Sequence, residues 1–207
     1  MYPKPEFHER DRAAIVEFMK KHPLALVAAA GDAGIAASHV PVLIDDGGEQ
    51  IKLRAHVMRK TQHWEAFKRA AELFVVFTGP DAPVLESWNS TRPFGGTWNY
   101  MAVHARGSAR FLAEAELIEL LRDLKNLHEV EPAAKFDNLP TEYITALIPA
   151  IEGFEITLNS VEAVFKLSQN RSREDFEHTI DALQRKGGES SLVAEEMVSR
   201  RASFFPE

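Results

Sequence analysis

The residues 51–64, IKLRAHVMRKTQHW, constrain the fold more than any other stretch. The first half alternates, with Ile51, Leu53, Ala55 and Val57 on one side and Lys52, Arg54, His56 and Met58 on the other, which predicts a strand with one buried face. Arg59-Lys60 then turns the chain into a helix expected over 61–71, with Thr61 as its cap. A strand that ends in two cations beside the bare N–H groups of a helix start can cradle a phosphate, because the helix end and the cations attract the same anion. A solvated basic turn would carry the same residues.

The segments around this stretch set the class. Apolar strands are expected over 24–30 and 35–45, joined by the turn Gly31-Asp32-Ala33-Gly34 and closed by Asp45-Asp46-Gly47-Gly48, so that with 50–58 they make three consecutive antiparallel strands. Val40, Val42 and Ile44 share one face of the second strand, and His39, Pro41 and Leu43 the other. Pro41 cannot donate to a ladder and marks an edge or a bulge. Further strands are expected over 72–79, 83–87 with a turn at 79–81 between them, 97–112, and 151–167 with a bulge at Asn159-Ser160. Helices are expected over 8–21, 113–127, 141–147, 172–186 and 190–201, with Ser172 and Asp175 placed as a capping-box pair. The fold class is therefore mainly β with flanking helices.

Composition enters as a set of exclusions. A net charge of −7 disfavours binding to DNA or to an anionic membrane, which depends on clustered Lys and Arg. With no cysteine there is no disulfide, thiol nucleophile or thiolate metal site. The opening MYPKPEFHERDR is too charged for a signal peptide, and no apolar run approaches the roughly 20 residues that span a bilayer, so a soluble cytoplasmic protein is expected. His39, His56, His63 and His104 lack metal-ligand spacing, and no metal site is expected. No nucleophile elbow, Walker loop or dinucleotide fingerprint is present. The cations Arg173, Arg185, Lys186, Arg200 and Arg201 of the last two helices are mixed with acids, which suits a solvated face better than a DNA-reading one.

What remains is a β chain with a basic strand-to-helix turn, an edge carrying Pro41, a Trp98-Asn99-Tyr100 strand start, a polar loop over 88–96 and a donor-rich strand end over 166–171. Together these suit a flat heteroaromatic ligand that bears a phosphate.

On MYPKPEF (1–7), SHVPVLID (38–45), RAHVMRKTQHW (54–64), FTGPDAPV (77–84), TWNYMAVHARG (97–107), GFEI (153–156) and FKLSQNR (165–171), the chain resembles the PaiB-like FMN-binding proteins, which are related to the pyridoxamine 5′-phosphate oxidase-like split barrels. The resemblance implies a six-stranded antiparallel split β-barrel of the FMN-binding type over 1–170, with a helical extension over 171–207 packed on it. It also implies FMN and a homodimer with the flavin sites at its interface. By position it assigns Arg59, Lys60, Thr61 and Gln62 to the phosphate, and His39, Val40 and Pro41 with Ala55, His56 and Val57 to the border of the isoalloxazine. Trp98, Asn99, Lys166, Ser168, Gln169 and Arg171 would complete the site, from the same or the partner subunit.

The family name implies negative transcriptional regulation, through flavin or small-molecule binding. A flavin-dependent oxidoreductase acting on a small substrate and a direct DNA-binding repressor are the alternatives, and no catalytic base is evident. The chain departs from the family in the loop over 85–93, where Asn89 stands in place of a tyrosine after Ser-Trp.

Overall fold

A computed structural model describes residues 1–31, 34–90 and 95–206. Residues 32–33 of the expected turn and residues 91–94 of the polar loop lie outside the described residues. The strands are β1 (His8–Glu9), β2 (Leu24–Gly31), β3 (Gly34–Pro41), β4 (Leu43–Asp45), β5 (Lys52–Met58), β6 (Leu73–Val84), β7 (Thr97–Phe111) and β8 (Ile151–Lys166). The helices are α1 (Arg12–Lys21), α2 (Gln62–Arg69), α3 (Glu114–His128), α4 (Thr141–Leu147), α5 (Arg173–Lys186) and α6 (Glu189–Phe204). The expected class is the one found, a mainly antiparallel sheet with flanking helices, although among the described residues eight strands join it where six were expected. Their order is β3-β2-β6-β7-β8-β5-β4, with β1 paired to β8. Among the described residues no helix is long and apolar enough to cross a membrane.

The chain falls into two compact units, residues 1–18, 78–103 and 162–207 in one, and residues 19–77 and 104–161 in the other. In the larger unit, alternation buries Leu53, Ala55 and Val57 on one face of β5, and α2 lays Phe67 edge-on to Phe154, 5.8 Å between ring centres. A second apolar cluster there joins α3 (Leu117, Leu120, Leu121) to Leu112, Phe136 and Ile151. The smaller unit is centred on Phe165, 5.0 Å from Phe18, and on α5 and α6, where Phe176 meets Phe204 and Phe205.

Three expectations needed correction. His8 and Glu9 are not helical: they pair with Val164 and Ala163, and the helix starts only at Arg12. The segment over 35–45 is not one strand. It breaks at Val42, whose N–H donates to Pro23 O at 2.9 Å instead of to a ladder, so β3 and β4 stand at opposite ends of the strand order and the three-strand meander does not form. The turn expected at 79–81 is also missing, and β6 runs on to Val84. β2 pairs only with Phe74, Val75 and Val76, so Pro80 sits where that ladder asks for no donor. At Asn159-Ser160, where the bulge was expected, two successive residues of β8 are exposed, and the stretches on either side bury residues of both parities.

Candidate functional site

In the larger unit β5 and α2 build the expected strand-to-helix turn. Thr61 caps α2, its Oγ1 accepting from Trp64 N at 3.3 Å and donating to Met58 O at 2.9 Å. Lys60, one residue before the cap, is exposed and held at φ 62°, a left-handed conformation that costs a non-glycine residue about 1–2 kcal/mol. Its ammonium has no partner among the described residues. Gln62 is exposed beside it. Arg59 behaves differently: Nε donates to Ile151 O at 2.7 Å and a terminal nitrogen pairs with Glu152 at 3.2 Å. The other Glu152 oxygen accepts from Trp64 Nε1 at 3.2 Å. Glu152 thus fixes both Arg59 and the first turn of α2, a role that nothing in the local sequence signals.

The strand residues are sorted by side chain and backbone. Ala55, Val57 and Val40 are buried, so they can border a ligand only through their main chain, while His39 and Pro41 are exposed. β4 pairs with β5 only as far as Leu43 opposite Arg54. Ile51 O accepts from Leu158 N at 3.0 Å and Arg59 N donates to Ala150 O at 2.9 Å, so the odd residues of β5 point to β8. Alternation then directs the His56 amide and carbonyl to the other edge, past the end of β4, where they can meet the edge of a planar ligand. The His56 ring is not part of that edge. It lies opposite Gly153, on the face where a Cβ at 153 would meet Leu112 and Leu117 at 3.0 Å. Its Nδ1 is buried without a partner, and burial lowers its pKa from 6.5.

In the smaller unit the remaining expected residues converge on the start of β7 and the end of β8. Ser168, at φ 63° and buried, donates from Oγ to Asn99 Oδ1 at 3.0 Å, and the fully buried Asn99 donates to Met197 Sδ at 3.6 Å. Gln169 accepts from Leu167 N at 2.7 Å and donates to Phe165 O at 2.7 Å and Glu6 O at 3.1 Å. These three side chains therefore shape the turn and have little capacity left for a ligand. Trp98 is half exposed, with Nε1 donating to Asp81 at 2.7 Å. The Lys166 ammonium donates to Thr97 Oγ1 and, at 2.8 Å, to Trp98 O. Burial, then Arg171 and Lys4, push its pKa below the ordinary value, and burial does the same to Arg171. No local motif marks Tyr2, whose ring centre lies 5.6 Å from the Lys166 ammonium where β1 pairs with β8.

Residues 1–160 match the family described as "Putative FMN-binding domain". The chain belongs to that family. FMN is the family's cofactor, and Lys60, Gln62 and the His56 edge fit a phosphate and a planar ring. The chain is 28% identical over 186 residues to protease synthase and sporulation protein PAI 2 of Bacillus subtilis, a match that covers 89% of each. It is 36% identical to the uncharacterized protein YKL070W of Saccharomyces cerevisiae over 106 residues, 47% of this chain and 62% of that one. In structure it is similar to the flavocytochrome Anf3 of Azotobacter vinelandii, with a TM-score of 0.57, 13% identity, and coverage of 86% and 78%. It is also similar to an FAD and heme binding protein of Mycobacterium smegmatis, with a TM-score of 0.54, 15% identity, and coverage of 77% and 73%. At these identities the two structures speak for the fold alone.

Proposed function

We propose that the chain binds FMN as a cytoplasmic homodimer of the split-barrel type and acts in regulation through the flavin or a small molecule. The observation that carries this reading is Lys60: an exposed, unpartnered cation held in a strained conformation at the start of α2, beside the open edge of β5. Lys60 and the first amides of α2 hold the phosphate, Gln62 donates to it, and Arg59, anchored by Glu152, adds positive potential. The His56 main chain and the exposed His39 and Pro41 border the ring. Bound flavin would supply electron transfer, whether for sensing or for turnover of a small substrate.

The dimer reading rests on one sheet face of the larger unit. Leu24 (62% exposed) and Ile35 (80%) lie on it with the outward side chains of Leu26, Ala28, Ala37, Phe74 and Val76. An apolar face of this kind calls for a cover, and a second copy supplies an identical one. The depression beside α2, lined by Gln62, Gly31 and Ala66, holds about 120 Å³, well under the roughly 300 Å³ of an ordinary cofactor pocket, which favours a site completed by a partner subunit. Direct reading of DNA through α6 would have to break ion pairs, since Arg200 binds Glu9 and Arg201 binds Glu177, both at 2.9 Å.

The test is the visible spectrum of the protein after loading with FMN and gel filtration. About one flavin per subunit, lost on Lys60→Ala, is expected. Full retention by that variant would remove Lys60 from the site. Bleaching by NADH or NADPH in the loaded protein would turn the reading toward an oxidoreductase.

A further inference from the structure

In the smaller unit a groove of about 220 Å³ lies between the short 3-10 turn Glu86–Trp88 and α5. Ser87 and Trp88 line one side of it, and His178, Asp181, Ala182 and Arg185 the other. The four α5 residues follow one another at spacings of three and four, so they share one face of the helix. Ala182 is buried, while His178, Asp181 and Arg185 are exposed. None of these residues was assigned to the flavin.

Asp181 and Arg185 stand four apart with the acid first, the arrangement in which a helix pairs opposite charges most readily. Glu65 with Arg69 and Glu196 with Arg200 make such pairs in this chain, both at 3.8 Å. Asp181 and Arg185 do not. Among the described residues neither of them, nor His178, has an ion-pair or hydrogen-bond partner. Two full charges of opposite sign are thus left open on the wall of one groove.

The facing wall is fixed. Trp88 N donates to Leu85 O at 3.2 Å, Asn89 N to Glu86 O at 3.0 Å and Asn89 Nδ2 to Leu85 O at 3.1 Å, which closes the turn on itself. Asn89, the departure from the family pattern, is 5% exposed and so serves the turn. Ser90 then ties the turn to α5, its N and Oγ donating to Asp175 at 2.6 and 2.8 Å. Trp88 is held beside the helix half-buried, with part of its indole open to the groove.

We infer that this groove binds a free α-amino acid with an apolar or aromatic side chain. The Arg185 fork takes the carboxylate, Asp181 takes the ammonium, and the side chain lies against Trp88. A ligand of one charge would meet a like charge on Asp181 or Arg185, and a zwitterion answers both. The groove's 220 Å³ falls below the roughly 300 Å³ at which pockets for drug-sized ligands begin, which limits the occupant to a molecule of amino-acid size. A bound amino acid would be the small-molecule signal of the regulatory reading, and because no flavin residue takes part, this site stands or falls apart from the flavin.

The test uses the FMN-loaded protein. L-phenylalanine and L-leucine are titrated while the indole N–H signal of Trp88, identified by its loss in Trp88→Phe, is followed by NMR. Saturable binding that moves this signal is expected for at least one of them. Analogues of the bound amino acid that lack its ammonium (phenylpropionate or isocaproate) or its carboxylate (phenethylamine or isoamylamine) should bind about tenfold more weakly or worse. Asp181→Asn removes the charge that takes the ammonium, and Arg185→Lys keeps a cation but loses the fork. Each should weaken binding about tenfold with an unchanged melting temperature, since neither side chain has an internal partner to lose. Lys60→Ala should lose flavin yet bind the amino acid as before, which separates this site from the flavin reading. No saturable binding of either amino acid, equal binding of a one-charge analogue, or binding unchanged in both Asp181→Asn and Arg185→Lys overturns the proposal.

Discussion

Lys60 and Ser168 carry positive φ values of 62° and 63°, and both fall among the residues that the sequence marked for a ligand site. The sequence names these residues but not their conformation, because left-handed backbone in a non-glycine residue is imposed by what surrounds it. At Lys60 glycine would adopt the same φ freely. Lys60→Gly should therefore raise stability by about 0.5–1 kcal/mol, the strain released less the entropy gained by the unfolded chain, while flavin retention falls. Urea unfolding read beside flavin content checks both halves, and a loss of stability would mean that Lys60 is unstrained. His56 gives a pH signature. Its folded pKa lies below 6.5, so between the two values the unfolded chain binds the extra proton. That contribution to stability is complete above pH 6.5 and is lost as the pH falls through this range. A His56→Gln variant should show a flatter fall of the urea midpoint on acidification, and an identical slope would place the effect elsewhere.

Among the elements, the helices were legible because their caps and spacing are local. Thr61 caps α2 as read, and Ser172 caps α5, its Oγ accepting from Asp175 N at 3.1 Å. The second half of that box fails for a tertiary reason: the Asp175 carboxylate turns to Ser90 instead of back to Ser172. Asp175→Ala should then cost about 1–3 kcal/mol, since the Ser90 amide loses its acceptor in a part-buried place. Thermal melting would show it, and a neutral result would leave the Ser90 contact without weight. Between the neighbouring strands β7 and β8, a Cβ on Gly107 would fall onto Thr157 O and lie 2.8 Å from Ile156 Cγ2. The nearest atom is a backbone oxygen, which cannot move aside as a flexible side chain would, so Gly107→Ala should destabilise by about 3 kcal/mol or more. Normal folding of that variant would show that the strands can part. Pro41 and Pro80 mark where strand reading needed partners: neither can donate to a ladder, yet one ends β3 opposite Leu24 and the other sits inside β6, beyond the last residue that pairs with β2.

For the whole molecule the prediction concerns assembly. Placing a charge on the apolar sheet face, as in Ile35→Asp, should weaken a dimer by more than tenfold in dissociation constant, because each buried isoleucine contributes about 1.5–3 kcal/mol. Sedimentation at micromolar concentration should then show a dimer for the parent and a monomer for the variant, with less flavin retained if the partner completes the site. A parent that sediments as a monomer would end the dimer reading. Much of this protein was set by the sequence alone. Alternation in 51–58, the three-four spacing of 117–127 and the caps at Thr61 and Ser172 act within a few residues, and the family resemblance rests on motifs that can be read in a line. The tertiary structure decided what depends on distant partners. It separated β3 from β4, drew His8 and Glu9 into the sheet, committed Arg59 to Glu152, and left Lys166 buried among cations. Each of these turns on which group lies opposite in space, and burial and charge acquire an energy only once that neighbour is fixed.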